Sequence, residues 1–257
     1  MSKIKSLKDL EIDVARNDGR QNDQLREIKI TPHYIKNATG SVLIEAGKTR
    51  VVCVVSIEKK IPRWMMQQNI RKQGWVTAEY NMMPYAGGQR KMRESTIGKI
   101  SGRTQEIQRL IGRSFRAVID LKSLGENTVW IDCDVLEADG GTRTASITGA
   151  YVALFLALEK LKKQKIIKEN PLKKQVAAIS VGIVGGKPLL DLDYSEDFAA
   201  EVDFNVVMTN DGDFIEIQGT AEENPFSKNQ LTDMLNLAEK GCKELFELQK
   251  KAIESVK

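Results

Sequence analysis

The stretch Ala138-Asp-Gly-Gly-Thr-Arg-Thr-Ala-Ser-Ile-Thr-Gly-Ala150 follows the strand-like run Thr128-Val-Trp-Ile-Asp-Cys-Asp-Val135 and leads into the apolar run Tyr151-Val-Ala-Leu-Phe-Leu-Ala-Leu-Glu-Lys-Leu161. Strand, glycine turn and helix in that order put an arginine in the first turn of a helix. The first N–H groups of a helix have no partner inside it and carry roughly half a positive charge, so they attract anions. Gly140 and Gly141 allow close backbone approach, Thr142 and Thr144 offer hydroxyls, and Arg143 supplies a planar fork matched to phosphate oxygens. A plainer reading stands beside this one: Thr142 or Thr144 can simply cap the helix. No Gly-x-x-x-x-Gly-Lys-Ser/Thr pattern occurs, so the turn is not a P-loop.

Around this turn the chain is that of a folded protein. Its 257 residues, 41% of them hydrophobic, suffice for one large domain or two close-packed halves. No run of about eighteen apolar residues marks a membrane span. The N-terminal residues are basic without an apolar core segment, so no secretory signal is expected. Cys53, Cys133 and Cys242 are widely spaced and odd in number, as expected of buried thiols in a reducing cytoplasm. His33 is the sole histidine. Ser-His and Cys-His catalysis are thereby disfavoured, and acid–base work falls to carboxylates, lysines or tyrosines. A bound metal would be a hard cation on oxygen ligands, such as Mg²⁺.

Charge is unevenly placed. From Lys59 to Arg103 ten basic residues face only Glu79 and Glu94, so this segment carries +8 of a chain whose net charge is +4. That concentration suits a polyanion such as nucleic acid, and equally a solvated face. The same segment lacks clean periodicity and reads as a long loop. Before it, Ser41–Ser56 reads as a hairpin about Gly47-Lys48. After it, a helix is expected at about Thr104–Leu121. Beyond a charged junction near Lys160–Pro171, Val176–Val184 pairs with Lys187–Asp193, and Glu201–Thr209 with Phe214–Gly219. Ser227 and Gln230 read as a capping box for a final helix. Residues 1–18 read as a poorly anchored polar segment.

Two further groupings carry chemistry. Ser101-Gly-Arg-Thr-Gln-Glu-Ile107 repeats the glycine–arginine–threonine helix start, making a two-armed phosphate clamp more credible than either start alone. Asp191, Asp193, Glu196, Asp197, Glu201 and Asp203 crowd the junction between two strands. Crowded carboxylates raise one another's pKa and create a hard-cation site. Asp203 lies within an apolar alternation, where an unpaired charge is costly. Inorganic phosphate is already anionic at neutral pH, so it needs positioning more than a general base. A leaving alkoxide needs an acid or a metal.

Six blocks carry a family resemblance: Gly19-Arg20 with Asp23-Gln-Leu-Arg26; Gly74-Trp-Val-Thr-Ala-Glu-Tyr80; Ser101 through Arg113; Trp130-Ile-Asp-Cys-Asp134; Ala138 through Tyr151; and Phe214-Ile-Glu-Ile-Gln-Gly-Thr220. In order, over roughly residues 17–250, they resemble the ribonuclease PH family of bacterial phosphorolytic 3′-to-5′ exoribonucleases, also called tRNA nucleotidyltransferases. The resemblance implies an α+β fold: mixed β-sheets packed with helices in two similar halves, assembling into a ring. Residues 1–16 would be an extension, 17–165 the half with the phosphate motifs, and 166–257 the half with the acidic cluster and terminal helix.

It further implies that Arg103, Gly141, Thr142 and Arg143 bind inorganic phosphate, and that Asp197 and Asp203 hold Mg²⁺ or protonate the leaving 3′ oxygen. Arg90, Arg93 and Arg116 are weaker candidates for contact with the RNA backbone. The expected substrates are tRNA precursors and ribosomal RNA 3′ ends, and the expected assembly is a cytoplasmic homohexamer, a trimer of dimers. The alternatives are an inactive RNA-binding ring subunit of an exosome-like complex and a hydrolytic nuclease. The segment Arg63–Gln73 is slightly longer than the usual family loop.

Overall fold

The computed structural model describes residues 16–222 and 224–256. The extension expected at 1–16 lies outside them except for Arg16, and that residue corrects the reading of a poorly anchored segment for its described end, residues 16–18. Arg16 is buried, and its guanidinium grips Glu196 with two hydrogen bonds of 2.7 Å. The chain is therefore anchored from Arg16 onward by a buried ion pair.

Two sheets organise the fold. The first has the order β1-β2-β3-β5-β4, formed by β1 (Ile28–Pro32), β2 (Gly40–Ala46), β3 (Thr49–Glu58), β4 (Trp75–Met82) and β5 (Thr128–Glu137). The hairpin at Gly47-Lys48 is present as β2 and β3. All neighbours are antiparallel except β4, which runs parallel to β5. β4 corrects the expectation of a continuous loop from 59 to 103: Val76, Ala78 and Tyr80 alternate into the core, and short helices α1 (Arg63–Gln67) and α2 (Glu94–Ile97) flank the strand. Met65 is fully buried and Trp64 meets Trp75 edge-to-face at 5.0 Å, which pins α1 down.

Helix α3 (Gly102–Val118) packs on β4 through Ile107, Leu110, Ile111, Phe115 and Val118, the stripe expected from its spacing. Helix α4 (Thr142–Lys163) packs on β2 and β3 and also on β6 of the second sheet. It is long and apolar enough to cross a membrane, but 83% of its most apolar window is buried inside the protein. Two sheets enclose it, so it has no polar face to show.

The second sheet has the order β7-β6-β8-β9 and is antiparallel throughout: β6 (Val176–Val184), β7 (Lys187–Leu190), β8 (Val202–Thr209) and β9 (Phe214–Ala221). Between β7 and β8 lies the short α5 (Tyr194–Ala199), and α6 (Lys228–Glu254) covers β6 and β7 behind the expected Ser227–Gln230 box. Val176, Ala178 and Val207 join the core of the first sheet, so both halves share apolar contacts. Cys53, Cys133 and Cys242 are buried free thiols.

Candidate active site

The glycine turn opens α4 without a side-chain cap. Gly140 and Gly141 are both left-handed, with φ of 77° and 64°, and Gly141 itself is the N-cap. Thr144 donates to the Gly141 carbonyl at 2.9 Å, and Thr142 shares a 2.8 Å hydrogen bond with the Tyr80 hydroxyl. Neither threonine caps the helix, which removes the plainer reading and leaves first-turn N–H groups unsatisfied by side chains.

The carbonyls of this turn are tied down from behind. Thr49 accepts from the Asp139 amide at 2.9 Å and donates to the Gly140 carbonyl at 2.7 Å. Arg26 donates to the Asp139 carbonyl at 2.5 Å while its Nη2 holds Asp191 Oδ1 at 2.7 Å. Asp191, itself left-handed at φ 54°, also accepts from the Arg26 amide at 2.9 Å. Burial opposes the charge on Arg26, but the adjacent Asp191 carboxylate outweighs it and raises the guanidinium pKa. One buried pair thus joins the glycine turn to the arm that carries the acidic cluster.

That cluster divides by role. Asp191 pairs with Arg26; Asp193 accepts from the Glu196 amide to cap α5; Glu196 binds Arg16; and Glu201 accepts from the Gly186 amide. Only Asp197 and Asp203 face the cavity in front of α4. That cavity, about 290 Å³, is also lined by Arg103, Gly140, Gly141, Thr142, Arg143 and Lys91. Burial raises the pKa of Asp197, against the pull of Arg103 and Arg143. Asp203 is raised first by burial and then by Asp197. The Asn205 amide reaches Asp203 at 3.3 Å.

The two arginines arrive differently. Arg143 is largely buried and braced: its Nη1 donates to Gln218 at 2.8 Å and lies 3.5 Å from Glu106, to which Gln218 also donates. Arg103 extends from the first turn of α3, whose N-cap Ser101 accepts from the Thr104 amide. Burial raises the pKa of Tyr80, and both arginines work against that shift, as they would for any anion held there.

The weaker candidates separate. Arg93 begins α2 and lines a neighbouring cavity that shares Lys91 and Arg103 with the central one. Arg90 is exposed on the loop before it. Arg116 is engaged inside the chain, donating to the Val76 carbonyl at 2.8 Å with its guanidinium 4.6 Å from the Trp75 ring centre. Lys91, one of the ten basic residues between Lys59 and Arg103, lines the central cavity, as do Ser180, Tyr194 and Asn205, which the sequence reading does not single out. Of these, Asn205 had a readable signal, a period-two partner of Asp203 on one strand. A larger hollow of about 670 Å³ is lined by Arg20, Arg26 and Glu244, but its arginines are already paired with Asp18 and Asp191. The smaller cavity is the better candidate.

Comparison with known proteins agrees in class. Residues 24–158 match the 3′ exoribonuclease family, domain 1, and residues 174–241 match its domain 2. Ribonuclease PH of Corynebacterium efficiens is 57% identical over 239 residues, covering 93% of this chain and 96% of that protein. Ribonuclease PH of Syntrophomonas wolfei is 58% identical over 237 residues, covering 92% and 98%. The chain belongs to the 3′ exoribonuclease family, and within it to the ribonuclease PH family. Its fold is also that of a chain in the Archaeoglobus fulgidus exosome solved with RNA bound to the active site, with a TM-score of 0.77, 23% identity and coverage of 91% and 92%. A chain of an archaeal exosome core is similar at a TM-score of 0.71, with 21% identity and coverage of 91% and 90%.

Proposed function

We propose that this protein is a phosphorolytic 3′-to-5′ exoribonuclease, a tRNA nucleotidyltransferase that trims the 3′ ends of tRNA precursors and takes part in ribosomal RNA processing. The observation that carries the reading is the single cavity in which two arginines from two helix starts meet two aspartates, Asp203 half-buried and Asp197 more open to solvent. The uncapped N–H groups of α4, Thr142, Arg143 and Arg103 hold inorganic phosphate. Positioned there, a phosphate oxygen attacks the phosphorus of the last phosphodiester. The bond to the 3′ oxygen breaks, that oxygen takes up a proton, and a nucleoside 5′-diphosphate leaves an RNA one nucleotide shorter.

Asp197 and Asp203 serve the leaving oxygen. They do so in one of two ways: as an acid, one of them delivers the proton, the direction in which burial moves both pKa values, or as carboxylates they hold a cation. Among the described residues no group of three or more His, Cys, Asp or Glu side chains forms a metal site. Two carboxylates still fit Mg²⁺, which commonly takes one or two from the protein and the rest from water and substrate phosphates. Asp197 and Asp203 would hold that ion, which when bound neutralises charge at the leaving oxygen. Arg90 and Arg93 continue the basic surface beside the cavity and suit the RNA backbone. Arg116, held by Val76 and Trp75, is left out of that role. The reading includes a cytoplasmic homohexamer, a trimer of dimers.

The test is 3′-labelled RNA incubated with Mg²⁺, with and without phosphate. Nucleoside diphosphate should form only when phosphate is present, and Arg143→Ala should abolish it while leaving the fold intact. Monophosphate released without phosphate would indicate hydrolysis and refute the reading. RNA binding without any turnover would favour the inactive ring subunit.

A further inference from the structure

Helix α5 presents two aromatic rings to solvent. Tyr194 is 61% exposed and Phe198, one helical turn on, is 82% exposed. Their rings stack at 6.3 Å with 29° between planes. Isolated exposed apolar side chains are ordinary, but a stacked pair beside a substrate cavity is not accounted for by that rule. The pair is also held firmly. The α5 capping box fixes the helix start, and Glu196, between the two aromatics, is locked to buried Arg16.

The position of the pair selects its occupant. Tyr194 lines the central cavity together with Asp197 of the same helix, whereas Phe198 stands outside it. The rings therefore run from the cavity rim outward. A permanent partner seated on Tyr194 would obstruct the mouth through which substrate must pass. Substrate itself would use that surface. An RNA 3′ end feeding its last phosphodiester into the cavity must unstack its terminal bases, and aromatic faces replace that stacking without regard to sequence. Lys91 lines the same cavity and Arg93 the adjoining one, both available to the backbone, so charge and π-surface are divided as a single strand requires.

We infer that Tyr194 and Phe198 form a stacking platform for bases at the RNA 3′ end, Tyr194 taking the base at the rim and Phe198 the next one out. This rests on the reading of the cavity as an RNA 3′-end site.

The experiment uses the full-length protein and a short RNA carrying 2-aminopurine, or an abasic residue, at the penultimate position. In the absence of phosphate, 2-aminopurine fluorescence should be quenched on binding to wild type and to Tyr194→Phe, and much less on binding to Tyr194→Ala. With phosphate, Tyr194→Ala and Phe198→Ala should each raise KM for RNA by about 5- to 150-fold, the range expected for one lost stack. KM for phosphate is the control readout. The abasic substitution should penalise wild type but add little to the penalty already present in Tyr194→Ala. Unchanged RNA KM in both variants, or an abasic penalty equal in wild type and variant, overturns the platform. A change in oligomer size on Phe198→Ala, with RNA KM intact, overturns it in favour of a contact between copies. If wild type binds and quenches the RNA but never releases diphosphate, the proposed activity fails and the platform survives.

Discussion

Removing both members of the Arg26–Asp191 pair should cost less than the two single removals added together. Arg26 and Asp191 are 5% and 2% exposed at their side chains, and Arg20 approaches the same carboxylate at 3.8 Å. Arg26→Met leaves the Asp191 carboxylate buried with much of its compensation gone, and also frees the Asp139 carbonyl. Asp191→Asn leaves a buried guanidinium facing a neutral amide, with the left-handed backbone still tolerated by asparagine. Breaking a buried pair from one side costs about 3–5 kcal/mol. For a chain of this size that is a fall of about 6–20 °C in melting temperature. The double variant Arg26→Met/Asp191→Asn has no unpaired charge at that contact, so its loss should fall short of the sum of the singles by about 2 kcal/mol. Thermal melts of the four proteins under one buffer decide the matter. Each single variant should also raise KM for phosphate, because Arg26 fixes the turn that opens α4. Strictly additive melting losses, or single losses under about 1 kcal/mol, would refute the strut described above.

Burial, reinforced by Glu79 and Asp134, pushes Asp132 up to about 6. The unfolded chain ionises this group near pH 4, so its contribution makes the protein lose stability as pH rises between about 4 and 6. The full shift corresponds to roughly 3 kcal/mol, which solvent screening at this half-exposed position cuts to about 1 kcal/mol. Asp132→Asn should therefore raise the melting temperature by about 2–4 °C at pH 7.5 and not at pH 4; an equal gain at both would remove the electrostatic cause. At Gly140 a Cβ would sit 2.5 Å from the Leu192 carbonyl oxygen and 2.7 Å from the Asp193 carbonyl carbon, on backbone at φ +77°. Gly140→Ala should thus pry the phosphate turn from the α5 arm and lower kcat/KM at least tenfold. Gly212→Ala, equally left-handed but in open space, is the control that carries only backbone strain and should keep its activity.

Local patterns carried much of this architecture into the sequence. The hairpins announced themselves by glycine between β-branched runs, and α3 by its apolar stripe. The two glycine–arginine–threonine starts were visible because helix ends have few chemical options. What stayed hidden depended on distant partners. β4 does carry a period-two signal, Val76, Ala78 and Tyr80 alternating with Thr77, Glu79 and Asn81, but it pairs in parallel with β5 more than forty residues away and sits within a Gly-, Arg- and Gln-rich segment that masked it. Arg16 and Arg26 are buried, and arginine gives no sign of burial until its carboxylate is located. Helix α5 spans six residues, too few for a period to show. Its signal was the Asp193–Glu196 spacing, which the crowd of acids around it obscured. Of the six carboxylates only Asp203 stood out by its apolar surroundings and Asp197 by the family resemblance; the partners of the other four, invisible in the sequence, show those to be structural.

Helix α4 begins at the anion-binding turn and then runs between two sheets, buried for nearly its whole length. The phosphate end of the cavity therefore belongs to an element that opens only when the whole protein does. The loop bearing Tyr85, Arg90 and Lys91 is tied down at Ala86, whose carbonyl accepts from the Ala138 amide at 2.8 Å, but the side chains of Tyr85, Arg90 and Lys91 are exposed. Fit to RNAs of different sequence and structure must be made on that outer rim, while the nucleophile is received by a surface as stiff as the core behind it.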